Sequence, residues 1–146
     1  MDKDQIKKTN DDIDRMISEY GYAIMGVLGN NTVCYTVGLT PILGYELVVS
    51  LPANPNVIHI IMNDFIYEQK ENNDVSGIKY PGMFKDGTPL RGKLEDVSDE
   101  IDVLNVITAR RCEVNKVYQL YFADENNLLP GEAGYNYEKM KQSVFN

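Results

Sequence analysis

The chain has no tryptophan, one histidine and two cysteines in its 146 residues. A single imidazole and two thiols far apart in sequence, Cys34 and Cys112, lack the ligand spacing of a zinc site. Phosphate-loop, dinucleotide-fingerprint and nucleophile-elbow motifs are absent as well, so neither cofactor nor metal is expected. Positive charge is scarce: 14 Lys and Arg face 22 Asp and Glu, a net charge of −8. Such a chain repels phosphate backbones at long range, which disfavours DNA and RNA as partners. No apolar run approaches the length of a membrane span. The first residues, Met1-Asp2-Lys3-Asp4-Gln5, are charged, unlike the apolar core of a secretory signal. The expectation is a cytoplasmic, reduced protein without a Cys34–Cys112 disulfide or a membrane partner.

What is present fits one α+β domain over residues 1–146, a mainly antiparallel sheet with two main helices packed against it. Residues 1–9 are charged and expected to fray. Ile13, Met16, Ile17 and Tyr20 then recur at helical spacing behind a cap at Asn10, Asp11 or Asp12, and Gly21 ends that helix. Tyr22–Leu28 and Thr32–Leu39 read as two strands joined at Gly29-Asn30-Asn31. A third runs over Glu46–Leu51, after a loop at Pro41–Gly44. Asn54-Pro55 is a helix start. The stripe Val57, Ile58, Ile61, Met62, Phe65 and Ile66 carries that helix to about Glu71. Residues 77–92 are rich in Gly and Pro, and Arg91–Val97 reads as a short strand. Residues 99–112 lean towards helix. Lys116–Ala123 is a strand rich in aromatic and branched residues, Asp124–Asn127 a turn, and Tyr135–Phe145 a short closing helix.

Gly38 lies inside the strand Tyr35-Thr36-Val37-Gly38-Leu39, where a glycine marks a bulge or a close approach. Residues 77–94 hold Lys79, Lys85, Arg91 and Lys93 against one acid, Asp86. Arg110-Arg111 adds two cations later. Glycines admit backbone amides to a ligand, and arginines grip phosphate or carboxylate with two bonds, so this is the best candidate for binding an anion. The bland alternative is a solvated loop whose cations pair with nearby acids. The acids Glu46, Asp124 and Glu132 could do acid–base work, yet a turn and a strand start are also places where acids cap the chain. His59, between Ile58 and Ile60, reads as a partly exposed helix residue and not as a catalyst. Of the ten tyrosines, Tyr118 and Tyr121 must point to opposite faces of one strand.

Three segments resemble the family known as domain of unknown function 4262. They are Tyr35-Thr36-Val37-Gly38-Leu39-Thr40; Glu46-Leu47-Val48-Val49 with Leu51-Pro52; and Gln119-Leu120-Tyr121-Phe122-Ala123-Asp124 with Leu129-Pro130-Gly131-Glu132 and Gly134-Tyr135. Members of that family commonly carry a His-Pro pair before the Glu-Leu run, whereas this chain reads Gly44-Tyr45-Glu46-Leu47. The resemblance implies a shared fold and site but supplies no reaction. Together with the cations, it gives an expected ligand-binding set of Tyr35, Thr36, Gly38, Tyr45, Glu46, Arg91, Arg110, Arg111, Gln119 and Asp124, with no catalytic residue.

The leading expectation is a non-catalytic protein that binds a small anionic molecule, with nucleotides among the candidates. A phage or bacterial accessory role, such as sequestering a signalling molecule, would suit it. The competing readings are a hydrolase using Glu46, Asp124 or Glu132, and a protein–protein inhibitor module with an exposed, tyrosine-rich face. Whether the chain forms a homo-oligomer is left open.

Overall fold

A computed structural model describes residues 3–99 and 116–142. Helix α1 (Lys3–Tyr20) starts earlier than its cap residues suggest, because residues 3–9, expected to fray, continue the helix. It ends at Gly21, whose φ of 91° is left-handed and whose N–H donates to Ile17 O at 2.8 Å, a conformation glycine adopts without a Cβ clash. Strands β1 (Ala23–Val27) and β2 (Thr32–Val37) form the expected hairpin with trimmed ends. Gly38 thus lies just beyond the strand and not within it. The segment expected as a loop forms one helical turn, α2 (Thr40–Leu43), closed by Gly44 in the left-handed region. Strand β3 (Glu46–Leu51) follows with the expected bounds.

Helix α3 (Pro55–Glu71) begins as the sequence dictates: Asn54 Oδ1 accepts from Asn56 N at 2.8 Å, and Pro55 occupies the first turn. Strand β4 (Lys79–Met83) lies in the Gly- and Pro-rich stretch, to which the sequence assigned no element. Its partner β5 (Pro89–Asp96) starts two residues early, and β6 (Val117–Phe122) matches its expected span closely. No helix covers the tail as far as Gln142, which runs as turns and extended chain instead of the expected closing helix.

The sheet order is β1-β2-β3-β6-β5-β4, antiparallel throughout except for β3 against β6. This is the single α+β domain with two main helices that the pattern implies, one helix on each face of the sheet. Ile58, Met62, Phe65 and Ile66 of α3 pack on Cys34, Leu47, Val49, Leu120 and Phe122. Ile13 of α1 packs with Val33, Tyr35, Val37, Val48 and Val117, the alternate positions of the same strands. Every residue of β2 and β3 is buried, which is why both read as near-continuous apolar runs instead of alternating ones. No described helix is long and apolar enough to cross a membrane.

Parallel pairing of β3 with β6 runs only from Glu46–Val117 to Val48–Gln119. Further along β6 the side chain of Gln142 takes the place of a strand. Its Oε1 accepts from Phe122 N at 2.8 Å, and its Nε2 donates to Phe122 O at 2.9 Å. Both backbone groups are thereby satisfied inside the fold.

Candidate functional site

Several of the described residues singled out by the sequence fall into two internal networks. The first is centred on Glu46, only 2% exposed at the start of β3. Its Oε1 accepts from Thr36 Oγ1 at 2.9 Å and from Leu39 N at 3.0 Å. Its Oε2 accepts from Thr40 N at 2.6 Å and from the Thr40 hydroxyl. One carboxylate therefore holds the chain leaving β2 and the first turn of α2. Burial pushes the Glu46 carboxyl above the usual carboxylate range, and the four donors only partly offset it. Thr36 in turn accepts from Leu47 N at 2.8 Å. Tyr45, next to Glu46, is buried, with its hydroxyl receiving Gln69 Nε2 at 2.9 Å and its ring edge-on to Tyr118. Gly38 has a φ of 87° and lies against Ile17 of α1.

The second network joins β5, β6 and the loop after β6. Arg91 meets Glu132 with two bonds, 2.8 and 3.0 Å, and also donates to Asn127 O at 3.0 Å. Lys93 Nζ donates to Pro130 O and pairs with Glu95. Asp124, 1% exposed, accepts from the amides of Asn126, Leu128 and Asn136 at 2.8–3.0 Å. Burial would raise its carboxyl, but the backbone amides outweigh that and hold it low. The Arg91 bonds and the Leu129 amide hold Glu132 down at about 2. Gln119 is buried and donates to Gln142 O at 2.7 Å.

Thr36, Tyr45 and Glu46 are thus brought together, as are Arg91, Asp124 and Gln119 around the tail. Tyr35 faces α1 in the other core layer, with burial pushing its phenol up. Arg110, Arg111 and Cys112 lie outside the described residues. Cys34 is a buried free thiol. The cations of the glycine-rich stretch that were expected to meet an anion are, at Arg91 and Lys93, committed to the chain's own oxygens.

A pocket of about 440 Å³ opens elsewhere, between the end of α1, β1 and one flank of α3. Met16, Tyr20, Tyr22 and Ile24 form its apolar and aromatic walls; His59, Asn63 and Lys70 supply its polar side. Tyr22 donates to Asn63 Oδ1 at 2.6 Å, and Lys70 Nζ sits 5.6 Å from the centre of the Tyr22 ring. Burial pushes the Tyr22 phenol up. Among the described residues lining it there is no carboxylate, although the chain carries 22 acids. The sequence signal was available: His59, Asn63 and Lys70 stand at i, i+4 and i+11, one face of a helix, and Tyr20 and Tyr22 flank the helix-ending Gly21.

No family model, curated protein or solved structure matches this chain. Among the described residues no group of three or more His, Cys, Asp or Glu is placed to hold a metal ion.

Proposed function

We propose that this protein is a non-catalytic binder of a small anionic molecule with an aromatic part, a nucleotide being the leading candidate, held in the pocket between α1, β1 and α3. The observation that carries the reading is the chemistry of that lining: one ammonium, one imidazole and one amide beside aromatic and apolar walls, with no described acid, on a strongly acidic chain. A volume of about 440 Å³ is of the size that small-ligand pockets take. Tyr20 and Tyr22 can stack on a base, Lys70 can meet a phosphate, and Asn63 can hydrogen-bond the ligand's edge. The reading moves the ligand away from the set expected from sequence, whose buried members tie the fold together.

The hydrolase alternative draws less support. Glu46, Asp124 and Glu132 each hold backbone amides of the chain. Membership of the family known as domain of unknown function 4262 is part of the same proposal. Its characteristic segments build β2, β3, β6 and the loop behind β6, the frame that carries the pocket elements. The physiological role we favour is sequestration of a signalling molecule by an accessory protein. Mass spectrometry of small molecules released when the purified protein is denatured tests the reading. An anionic aromatic compound, retained by the parent and lost from a folded Lys70→Ala variant, is the expected result. Release of the same compound from both proteins would exclude this pocket.

A further inference from the structure

The flank of α3 away from the basic pocket has the opposite character. Asp64, Tyr67 and Glu68 line a groove of about 630 Å³ whose far wall is Tyr80, Pro81, Gly82 and Met83 of β4. Tyr67, Tyr80 and Met83 are 67%, 58% and 71% exposed. The groove continues onto an outward stripe of α3: Val57, Ile60, Asp64, Tyr67 and Glu71 recur at alternating spacings of three and four. That is the spacing of the seam by which one helix receives another, here apolar at Val57, Ile60 and Tyr67 and acidic at Asp64 and Glu71. Val57 and Ile60 stay exposed at the helix start. The acids gather at its other end. Asp64 and Glu68 form no ion pair among the described residues.

Two occupants are disfavoured by the residues themselves. Adding a strand to β4 is blunted by Pro81, which lacks an N–H, and by the irregular register between Lys79 and Gly82. A second copy packing antiparallel along the same stripe would bring Asp64 against its own twin at the centre, a like-charge contact.

We propose that this stripe and groove dock an amphipathic helix of a partner protein, apolar where it meets Val57 and Ile60 and basic where it meets Asp64, Glu68 and Glu71. Helix-in-groove recognition uses this combination of apolar anchors and flanking charge, and the exposed patch offers the anchors. The site is separate from the pocket at Lys70, so the two proposals stand or fall independently.

The test uses a fluorescein-labelled helical peptide of about sixteen residues, with leucine at the seam positions and arginine in its second half. A twin carries glutamate in place of arginine. Fluorescence anisotropy against the full chain is expected to show binding of the arginine peptide only. Asp64→Arg with Glu68→Arg, and separately Ile60→Ser, should each weaken it at least about tenfold, or roughly 1.4 kcal/mol. Lys70→Ala should leave it unchanged, and circular dichroism should show each variant folded. Equal binding of the twin, no binding at millimolar peptide, or binding indifferent to these substitutions would overturn the proposal. So would sedimentation showing that the chain dimerises through Ile60.

Discussion

Glu46 and Thr36, ten positions apart, meet carboxylate to hydroxyl at 2.9 Å in the closed interior beside β2. The same carboxylate accepts the amides of Leu39 and Thr40, so it organises the turn from β2 into α2. Glu46→Ala should leave both amides without an acceptor. At about 1–3 kcal/mol for each buried unsatisfied donor, the expected loss is about 2–6 kcal/mol in urea unfolding. Glu46→Gln keeps one acceptor oxygen and should lose less. An alanine variant as stable as the parent would show that water or relaxation replaces the carboxylate.

Glu46 also sets a pH dependence. Because burial raises its carboxyl in the folded state, the folded chain binds a proton that the unfolded chain has released. Stability is therefore expected to fall as pH rises from the ordinary glutamate range through the raised value. Glu46→Gln should remove that part of the profile, as read from denaturant midpoints across mildly acidic pH.

Glu132 works in the opposite direction. Arg91 holds its carboxyl down at about 2, so its contribution is present above the unfolded-chain value and is lost as pH falls towards about 2. The acid limb of the melting profile should flatten in Glu132→Gln. An unchanged limb would assign acid sensitivity to Asp124 and other carboxylates. The pair is partly exposed, so its effect should shrink in high salt.

Two glycines separate strain from space. At Gly38 a Cβ would lie 3.0 Å from Ile17 Cδ1 on a backbone with φ of 87°. At Gly26 it would meet only Cys34 Sγ, at 3.7 Å, with no positive φ. Gly38→Val is expected to cost roughly 1–3 kcal/mol through overpacking, with positive-φ strain added. Gly26→Ala should stay within about 0.5 kcal/mol of the parent. Similar thermal shifts for both would contradict the tight contact between α1 and the end of β2.

Much of this fold was legible because period and punctuation agreed. Asn54-Pro55 and Gly21 marked helix ends, and the buried runs of β2 and β3 could be little else. What escaped was non-local. Nothing in Lys79-Tyr80-Pro81-Gly82-Met83 announces a strand, since pairing with β5 supplies the hydrogen bonds that its Pro and Gly do not encourage. The tail reads as helix by local propensity, yet Gln142 gains two bonds to Phe122 as a strand substitute. The proposed pocket was hard to read for a related reason. Unusual polar residues in apolar segments, such as Glu46 and Gln119, are as much a sign of internal hydrogen bonding as of a ligand. The pocket at Lys70 is assembled from three elements whose residues look ordinary one by one.

Gln142→Ala tests the strand substitution. The Phe122 amide, deprived of its acceptor, should exchange hydrogen much faster than those of Leu120 and Val48, which keep their places in the sheet. Equal protection in parent and variant would mean that another group takes over from Gln142.

The most direct test of the binding proposal is a nitrogen-15 NMR titration of the protein with adenosine and guanosine monophosphates, repeated on Lys70→Ala. The expected result is a set of amide shifts confined to Tyr20–Ile24 and His59–Lys70, with affinity at least about tenfold weaker in the variant. Shifts centred on Arg91 and Glu132, or none at millimolar nucleotide, would contradict it.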